Sequence, residues 1–271
     1  MKTRILSAVV LVPVLLVVLL AAPQVLTAIL VGAMCAIAAY ELLWGTALVR
    51  RPLPVGATMV MAFLVPIWCH FGMERLWAQI AVLAFFCLLF LDVLGSHGKA
   101  PFSGVSICMV GGLVLPYLLS SLVRIQDGDY GRFFVLAPFV AAFLSDTGAY
   151  FVGRFLGRHK LAPVISPKKT VEGLVGGLLC AVVGMVVYGL VLAHAFDFQV
   201  NYLYAVVYGL LGAAAGVFGD LCFSAIKRQT GIKDYGNLIP GHGGILDRFD
   251  SVMVVAPLIE LLLNLFPMAV K

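Results

Sequence analysis

The stretch GLVGGLLCAVVGMVVYGLVLAHA, residues Gly173–Ala195, decides the class of protein to which this chain belongs. It runs for 23 residues without an Asp, Glu, Lys or Arg, and about 20 predominantly apolar residues are enough for a helix to cross a bilayer. The whole 271-residue chain has the same character, with 62% hydrophobic and only 11% charged residues. Because a soluble domain carries roughly 25% charged residues, the composition excludes a soluble globular domain, a disordered chain and a coiled coil.

The same criterion predicts an all-α polytopic integral membrane protein with about nine transmembrane helices and a cytoplasmic N-terminus. The predicted spans are Ile5–Ala22, Gln24–Trp44, Pro54–Phe71, Leu76–Leu94, Gly104–Val123, Phe133–Phe151, Gly173–Ala195, Tyr202–Cys222 and Ser251–Val270. They divide the chain into a three-span region over residues 1–75, a two-span region over 76–130 and a four-span region over 131–271. We place the candidate catalytic residues in the four-span region.

The basic residues set the predicted orientation, because cytoplasmic loops carry an excess of Lys and Arg. With a cytoplasmic N-terminus, fourteen of the 18 Lys and Arg residues fall on the cytoplasmic side. The exceptions are Arg75, Arg124, Arg132 and Lys271. Most of the cytoplasmic cations lie in two loops, Val152–Glu172 and Phe223–Asp250. We therefore expect the functional site in these two loops.

Four acidic residues lie near the predicted cytoplasmic ends of spans: Glu41, Asp92, Asp146 and Asp220. A helix C-terminus disfavours an anion by roughly 0.3–1 kcal/mol at an exposed position, so each carboxylate needs a cation. For Glu41 and Asp92 we predict salt bridges to the neighbouring basic loops. Asp146 and Asp220 each open one of the two loops, and ionisable groups within spans are functional candidates.

The first loop has the composition of a phosphate-binding site. Its candidate ligands are Ser166, Lys168, Lys169 and Thr170. They precede a new helix, and backbone N–H groups at a helix N-terminus bind anions when lysines lie beside them. Capping of that helix by Ser166 or Thr170, with Glu172 in its first turn, is the structural alternative. The two interpretations are compatible.

The second loop is denser in candidate ligands. They are Ser224, Lys227, Arg228, Lys233, His242, Gly243, Gly244 and Arg248. Asp220, Ser224 and Lys227 share a face if the eighth helix continues beyond the membrane. The glycines permit close approach of a ligand to the main chain. His242 is a candidate acid, base or phosphate donor, and a structural role in the glycine turn is its alternative.

Two aspartates are the natural pair for a magnesium ion, which proteins usually hold with one or two carboxylates plus substrate phosphates. We predict Asp220 and Asp247 as the metal ligands, with Asp146 and Asp250 as further candidates. Capping of the last helix is the alternative for Asp247 and Asp250. Because one acid suffices for a cap and Asp250 suits it, Asp247 is left without a structural explanation. A metal and nearby cations are what phosphoryl-type transfer needs.

The run Ser224–Asp250 resembles the signature of the phosphatidate cytidylyltransferases, also called CDP-diacylglycerol synthases. It reads S-x-I-K-R, four residues, K-D-x-G, two residues, I-P-x-H-G-G-I-x-D-R-F-D, which fixes the spacing over 27 positions. The segments Ser145–Tyr150 and Ile165–Gly173 are also similar to that family. The first three predicted spans match only in hydropathy.

The resemblance implies that the chain transfers the cytidylyl group of CTP to phosphatidate, which gives CDP-diacylglycerol and pyrophosphate for phospholipid biosynthesis. It implies Mg²⁺ as the cofactor, with a second, monovalent cation such as K⁺ in some members, and it places the metal-binding aspartates at Asp220 and Asp247. It also implies a homodimer in the cell (inner) membrane with a cytoplasmic site. The expected partners are CTP, phosphatidate and the bilayer, and no nucleic acid.

Two other functions compete with this interpretation. A secondary transporter predicts ionisable groups near the middle of the bilayer and an internal repeat, whereas the acids here cluster at one predicted face and no repeat is evident. A CTP-dependent lipid kinase is a more distant alternative. An alcohol phosphotransferase that consumes CDP-diacylglycerol would carry a D-x-x-D-G-x-x-A-R motif, which this sequence lacks.

Overall fold

The chain is predominantly helical in the computed structural model, which describes residues 12–72, 74–96, 100–238 and 243–271. Within these described residues, seven helical segments are long and apolar enough to cross a membrane. They are Gln24–Gly45, Pro52–Phe71, Arg75–Gly95, Phe102–Asp127, Gly131–Leu156, Val171–Phe196 and Tyr202–Gln229. This confirms the predicted class, an all-α polytopic integral membrane protein.

The elements follow one another in a simple order. The helices are α1 (12–20), α2 (Gln24–Tyr40), α3 (Pro52–Phe71), α4 (Arg75–Gly95), α5 (Phe102–Met109), α6 (Leu115–Leu119), α7 (Ser121–Asp127), α8 (Gly131–Phe134), α9 (Ala137–Leu156), α10 (Val171–Phe196), α11 (Tyr202–Gln229), α12 (Leu246–Phe249) and α13 (Val252–Leu265). Two π-helical turns, Glu41–Gly45 and Val110–Val114, continue α2 and α5. The described strands are β1 (Lys160–Ala162), β2 (Ser166–Thr170), β3 (Gln199–Val200) and β4 (Ala269–Val270).

The last predicted span, Ser251–Val270, is too long. Helix α13 ends at Leu265 after 14 residues, about 21 Å at 1.5 Å per residue, whereas the hydrocarbon core of a bilayer is about 30 Å thick. Phe266 leaves the helical region because Pro267 follows it, and a proline disfavours the α conformation in the preceding residue. The chain then pairs β4 with β3 in an antiparallel register.

The count of nine spans stays a prediction. Part of the first predicted span, Ile5–Ala22, falls among residues 1–11, outside the described residues, and residues 12–20 of it are helical.

A proline and a glycine mark the two ends of helix α3. Helix α3 begins with Pro52 in its first turn and ends at Phe71, and the following Gly72 caps it with a left-handed φ of 58°.

The chain divides into two compact units. The first unit comprises Met1–Asp129 and Gln229–Phe249, and the second comprises Tyr130–Arg228 and Asp250–Lys271. The predicted region boundaries at 75/76 and 130/131 stay predictions. In the first unit a core cluster of apolar residues joins α3, α4 and α5 to the end of α2. Its buried members are Leu43, Val49, Val55, Met61, Phe85, Leu89, Val105 and Cys108.

In the second unit, glycines let helices α9 and α10 approach each other closely. A Cβ at Gly148 of α9 would lie 2.5 Å from Cys180 Cβ, and one at Gly176 of α10 would lie 2.4 Å from Val152 Cβ. Small residues at such contacts are what membrane helices use to pack, because lipid tails remove the hydrophobic drive between helices. This packing fixes α9, which carries Asp146, against the start of α10.

Helix α11 approaches α10 closely at Gly209, and this contact yields a stability prediction. A Cβ there would lie 2.5 Å from the backbone Cα of Val182, which cannot move aside as a side chain can. Gly209→Ala should therefore cost about 1–3 kcal/mol of stability by overpacking, or several degrees in the melting temperature of detergent-solubilised protein.

The matched control is Gly56→Ala, because Gly56 lies inside α3 and, beyond its own stretch of helix, no atom of the described residues lies within 4 Å of its Cβ position. Alanine is preferred over glycine inside a helix, so this variant should melt at or above the wild-type temperature. A Gly209→Ala protein that melts like wild type would contradict close packing of α10 on α11.

Candidate active site

The first predicted loop, Val152–Glu172, contains a β-hairpin that the sequence analysis did not predict. Helix α9 continues to Leu156, and β1 then pairs antiparallel with β2, with Lys160 opposite Thr170 and Ala162 opposite Ser166. The strands are short and contain Pro167 and two lysines, which are uncommon in strands. The two strands lack the alternation of apolar and polar residues by which strands are recognised in a sequence. Only their hydrogen-bonded pairing in the structure identifies them.

Two side chains close the base of this hairpin at the start of α10. The Thr170 hydroxyl accepts the N–H of Gly173 at 3.1 Å, so of the two residues named in the capping alternative it is Thr170 that caps α10. The Glu172 carboxylate accepts the N–H of Arg158 at 3.0 Å and lies 2.6 Å from Nδ1 of His159. The hairpin is therefore anchored on the first turn of α10.

The hairpin separates the two lysines that were predicted to act together. Lys169 Nζ lies 2.6 Å from Asp220 Oδ2, whereas Lys168 is exposed. Successive residues of a strand point to opposite faces, so only Lys169 is directed at α11. Ser166, on the same strand, is half-buried.

Helix α11 continues to Gln229, as the shared face of Asp220 and Ser224 requires. The Ser224 hydroxyl donates to Asp220 Oδ1 at 3.1 Å, so the two oxygens of Asp220 have different partners, Ser224 and Lys169. Further along the same face, Arg228 Nε donates to the carbonyl of Ile165 at 3.2 Å. This bond ties the hairpin to α11 and holds Lys169 over Asp220.

Asp146 and Asp220 do not lie at helix ends, which corrects the argument from the helix dipole. Helices α9 and α11 continue to Leu156 and Gln229, more than two turns beyond the two aspartates at 3.6 residues per turn. The dipole acts only within the last turn. These carboxylates need a cation because their negative charges lie near one another, as their effect on the pKa of Asp250 indicates.

Asp250 is only 8% exposed, and the charges of Asp220 and Asp146 in the same unit act on it. Its pKa is raised from 3.8 to about 7, mainly by burial and in part by the nearby charges of Asp220 and Asp146, against the lowering effects of the Ser251 N–H and of Lys227. Gly219 makes the approach possible, because a Cβ there would lie 2.7 Å from the Asp250 carbonyl oxygen. The excess of negative charge favours a bound cation.

The predicted capping role of Asp250 is wrong. Its Oδ1 accepts the N–H of the adjacent Ser251 at 2.7 Å, whereas a cap accepts from the second or third residue of the helix. Helix α13 begins at Val252, and its N-cap, Ser251, makes no side-chain cap hydrogen bond. Asp250 thus needs an explanation other than capping.

The raised pKa of Asp250 predicts a pH-dependent stability in the metal-free protein. Between pH 4 and pH 7 the unfolded chain releases a proton that the folded chain retains, so the folded state loses stability as the pH rises through this range. Asp250→Asn removes this loss, and its melting temperature in EDTA should exceed that of wild type by a margin that grows from pH 5 to pH 8.

The control is Asp129→Asn, since Asp129 is exposed. Its melting temperature should follow that of wild type at every pH. An Asp250→Asn profile parallel to wild type from pH 5 to pH 8 would contradict the crowded, buried environment of this carboxylate.

In the first unit, Asp247 has a structural role that the sequence analysis did not find. It is 8% exposed, and its Oδ2 accepts the N–H groups of Tyr235 at 2.8 Å and Gly244 at 3.1 Å. Gly243 has a φ of +83°, and a Cβ there would lie 3.0 Å from the same oxygen. Asp247 therefore folds the segment onto itself, and this requirement is compatible with metal binding.

Of the two predicted salt bridges, one is confirmed and one is wrong. Asp92 Oδ2 lies 2.7 Å from Arg51 Nη1, as predicted. Glu41 is instead buried, at 4% exposure, and accepts the N–H groups of Ile245 at 3.0 Å and Leu246 at 2.9 Å. Two backbone donors at the start of α12 satisfy this carboxylate, where a lysine or arginine had been expected.

The other candidates are placed as follows. Lys233 and Arg248 are exposed, Lys227 is half-buried and Gly244 is buried. His242 lies outside the described residues. Asp220 belongs to the second unit and Asp247 to the first.

The carboxylates of the second unit are suited to a magnesium ion that substrate phosphates help to bind. Within the described ranges, no group of three or more His, Cys, Asp or Glu side chains is arranged to hold a metal ion by itself. Mg²⁺ needs fewer protein ligands, because one or two carboxylates suffice when substrate phosphates complete its coordination shell. The oxygen donors of the second unit and their excess negative charge fit such an ion.

The chain matches the family model described as "Cytidylyltransferase family" over residues 2–266. A phosphatidate cytidylyltransferase of Bacillus subtilis is 37% identical over 245 residues, which are 88% of each chain. That of Staphylococcus saprophyticus is 41% identical over 182 residues, 66% of each chain. That of Staphylococcus haemolyticus is 46% identical over 133 residues, 49% of this chain and 50% of the relative.

Proposed function

The chain belongs to the cytidylyltransferase family, and on this premise we propose that it is a nucleotidyltransferase that transfers the cytidylyl group of CTP to phosphatidate. The products are CDP-diacylglycerol, a precursor of phospholipids, and pyrophosphate. The observation that carries the proposal is the similarity to the phosphatidate cytidylyltransferase of Bacillus subtilis over 88% of the chain. The seven helices in the described part of the chain that are able to span a bilayer suit a lipid substrate.

The proposed reaction is a direct displacement at phosphorus. A phosphate oxygen of phosphatidate attacks the α-phosphorus of CTP, and the bond from that phosphorus to the bridging oxygen of pyrophosphate breaks. The attacking phosphate is already ionised, so no side chain needs to remove its proton. The protein has to position two anions and neutralise the charge of the leaving group, which is the main task in such transfers.

The second unit offers cations suited to that task. Lys169 is held over α11 by its ion pair with Asp220 and by the hairpin contact of Arg228. The charge of Lys227 acts on Asp250, whose pKa it lowers. We propose that the triphosphate draws Lys169 from Asp220, which leaves the carboxylate available to a metal ion. Lys168 and Arg248, both exposed, are proposed to contact phosphates from the outside.

Mg²⁺ is the proposed cofactor, and when bound it would neutralise charge on the substrate phosphates. Asp146, Asp220 and Asp250 are the oxygen donors of the second unit that fit it. Asp220 and Asp247 belong to different units, and we keep the prediction of metal binding for each of them separately. A monovalent second cation and a homodimer are likewise proposals that rest on the family resemblance alone.

We place the site on the cytoplasmic side of the cell membrane, because CTP is a soluble cytoplasmic metabolite and most basic residues of the two loops fall on that side in the predicted orientation. The relatives named above are bacterial proteins, which agrees with the cell membrane as the location. Protease access to the segment around Lys233 in inside-out vesicles, and not in right-side-out vesicles, would support this side.

The proposal is tested with purified protein in detergent by release of pyrophosphate from CTP. Release should require both phosphatidate and Mg²⁺ and should stop in EDTA. Diacylglycerol is the control lipid, because it lacks the attacking phosphate and should give no pyrophosphate. A folded protein that releases no pyrophosphate with phosphatidate would overturn the proposed function.

A further inference from the structure

We propose that Glu41 is a positioning residue for the reaction: it fixes the segment Gly243–Phe249, which carries Asp247 and Arg248. This inference rests on the proposed function, since it gives Glu41 a task in the activity that Asp247 and Arg248 serve. The supporting observation is that the buried carboxylate of Glu41, from a distant part of the sequence, accepts hydrogen bonds from the backbone of this segment.

The carboxylate of Glu41 divides its two oxygens between two consecutive residues of the segment. Oε1 accepts the N–H of Ile245 at 3.0 Å, and Oε2 accepts the N–H of Leu246 at 2.9 Å. Glu41 is the first residue of a π-helical turn that continues α2, and π turns inside helices often mark functional positions. Two hydrogen bonds from consecutive backbone N–H groups therefore hold the segment at the residues just before Asp247.

Glycines on two sides leave room for this carboxylate and no more. A Cβ at Gly236 would lie 2.6 Å from Glu41 Oε1, and one at Gly244 would lie 2.3 Å from Oε2. At the other end of the π turn, a Cβ at Gly45 would lie 2.2 Å from the carbonyl oxygen of Tyr235. The end of α2 is thus enclosed by the backbone of residues 235–236 and 244–246.

The same backbone also donates hydrogen bonds to Asp247, and through it Glu41 can affect the position of Asp247. Tyr235 and Gly244, whose backbones lie at the π turn, donate their N–H groups to Asp247 Oδ2. Glu41 and Asp247 therefore bind the same small loop through different N–H groups. If the loop shifts from Glu41, the orientation of the Asp247 carboxylate changes with it.

The proposal requires two acceptor oxygens at position 41. In Glu41→Gln the side chain keeps its length, but one oxygen becomes an amide that presents hydrogens to a backbone N–H. Gly236→Ala reaches the same result without a change of charge, since its methyl group would occupy space within 2.6 Å of Oε1. Both variants should loosen the segment.

The first measurement is hydrogen exchange of backbone amides, read by mass spectrometry on the full-length protein in detergent. In Glu41→Gln and Gly236→Ala, the peptide that covers residues 243–249 should exchange about tenfold faster or more, while peptides from α9 and α10 keep wild-type protection. The matched control is Asp92→Asn. Asp92 is also an acid at the end of a span but pairs with Arg51, and its substitution should leave the 243–249 peptide unchanged.

The second measurement separates positioning from folding. We expect the kcat of pyrophosphate release to fall about 10- to 100-fold in Glu41→Gln, which corresponds to the loss of one or two hydrogen bonds, and the KM for phosphatidate to stay within about twofold. Unchanged exchange of the 243–249 peptide in both variants would overturn the proposal. Loss of protection throughout the protein in both variants would also overturn it, because Glu41 would then serve folding.

The two proposals fail in distinguishable ways. Exchange of the 243–249 peptide reports the contact of Glu41 whether or not the protein is active. A wild-type protein without phosphatidate-dependent pyrophosphate release would overturn the proposed function only. An active wild type whose variants keep both kcat and the protection of the segment would overturn the positioning role only.

Discussion

Asp220→Asn is expected to lower the rate of pyrophosphate release from CTP and phosphatidate by about 100-fold or more, the loss typical when a preorganised electrostatic group is removed. One oxygen of Asp220 lies 2.6 Å from Lys169 Nζ and the other accepts the Ser224 hydroxyl. Asparagine keeps an acceptor for Ser224 but removes the charge that holds Lys169 and the proposed metal ion. The measurement is the initial rate at saturating CTP.

Ser224→Ala is the matched control for this variant. It removes the hydroxyl that donates to Asp220 Oδ1 and leaves the carboxylate charge in place, so its rate should fall by less than about tenfold. A rate for Asp220→Asn within about threefold of wild type would contradict a role for this carboxylate in the reaction and would move the metal to other residues.

Asp247→Asn is expected to cause a loss of similar size, about 100-fold or more, with little change in the melting temperature. The reason lies in its two functions. A single oxygen, Oδ2, accepts the N–H groups of both Tyr235 and Gly244, and the amide oxygen of asparagine can accept both after substitution. The structural function is therefore retained while the charge is removed.

Asp247→Ala separates the two functions. It leaves two N–H groups of the buried loop without their acceptor, at a cost of about 1–3 kcal/mol for each, and its melting temperature should fall by several degrees. An active Asp247→Asn would contradict the electrostatic role of this residue. Equal melting temperatures for the Asn and Ala variants would contradict its role in the loop.

Local patterns predicted those features that depend on neighbours in the sequence. The membrane spans follow from apolar runs, the Thr170 cap from its place before α10, and the shared face of Asp220 and Ser224 from helical spacing. The ion pair of Asp92 with Arg51 followed from a charge balance between adjacent loops. In each case one element or one loop contains the whole physical cause.

Features that depend on distant partners were missed. Glu41 bonds to residues 245 and 246, and its own span contains no sign of that contact. The hairpin of β1 and β2 lacks apolar alternation, so its strands could not be distinguished from a loop. Asp247 was judged to have no structural role because its acceptor function depends on a backbone fold that spacing does not reveal.

The measurement that tests cytidylyl transfer most directly follows a phosphorus label from CTP into the lipid. With CTP labelled at the α-phosphorus, label should enter the lipid phase in step with pyrophosphate release, and only when phosphatidate and Mg²⁺ are present. With CTP labelled at the γ-phosphorus, the lipid phase should stay unlabelled, because that phosphorus leaves in pyrophosphate. Label from the γ-position in lipid would identify a lipid kinase, and no label in lipid from either position would contradict nucleotidyl transfer altogether.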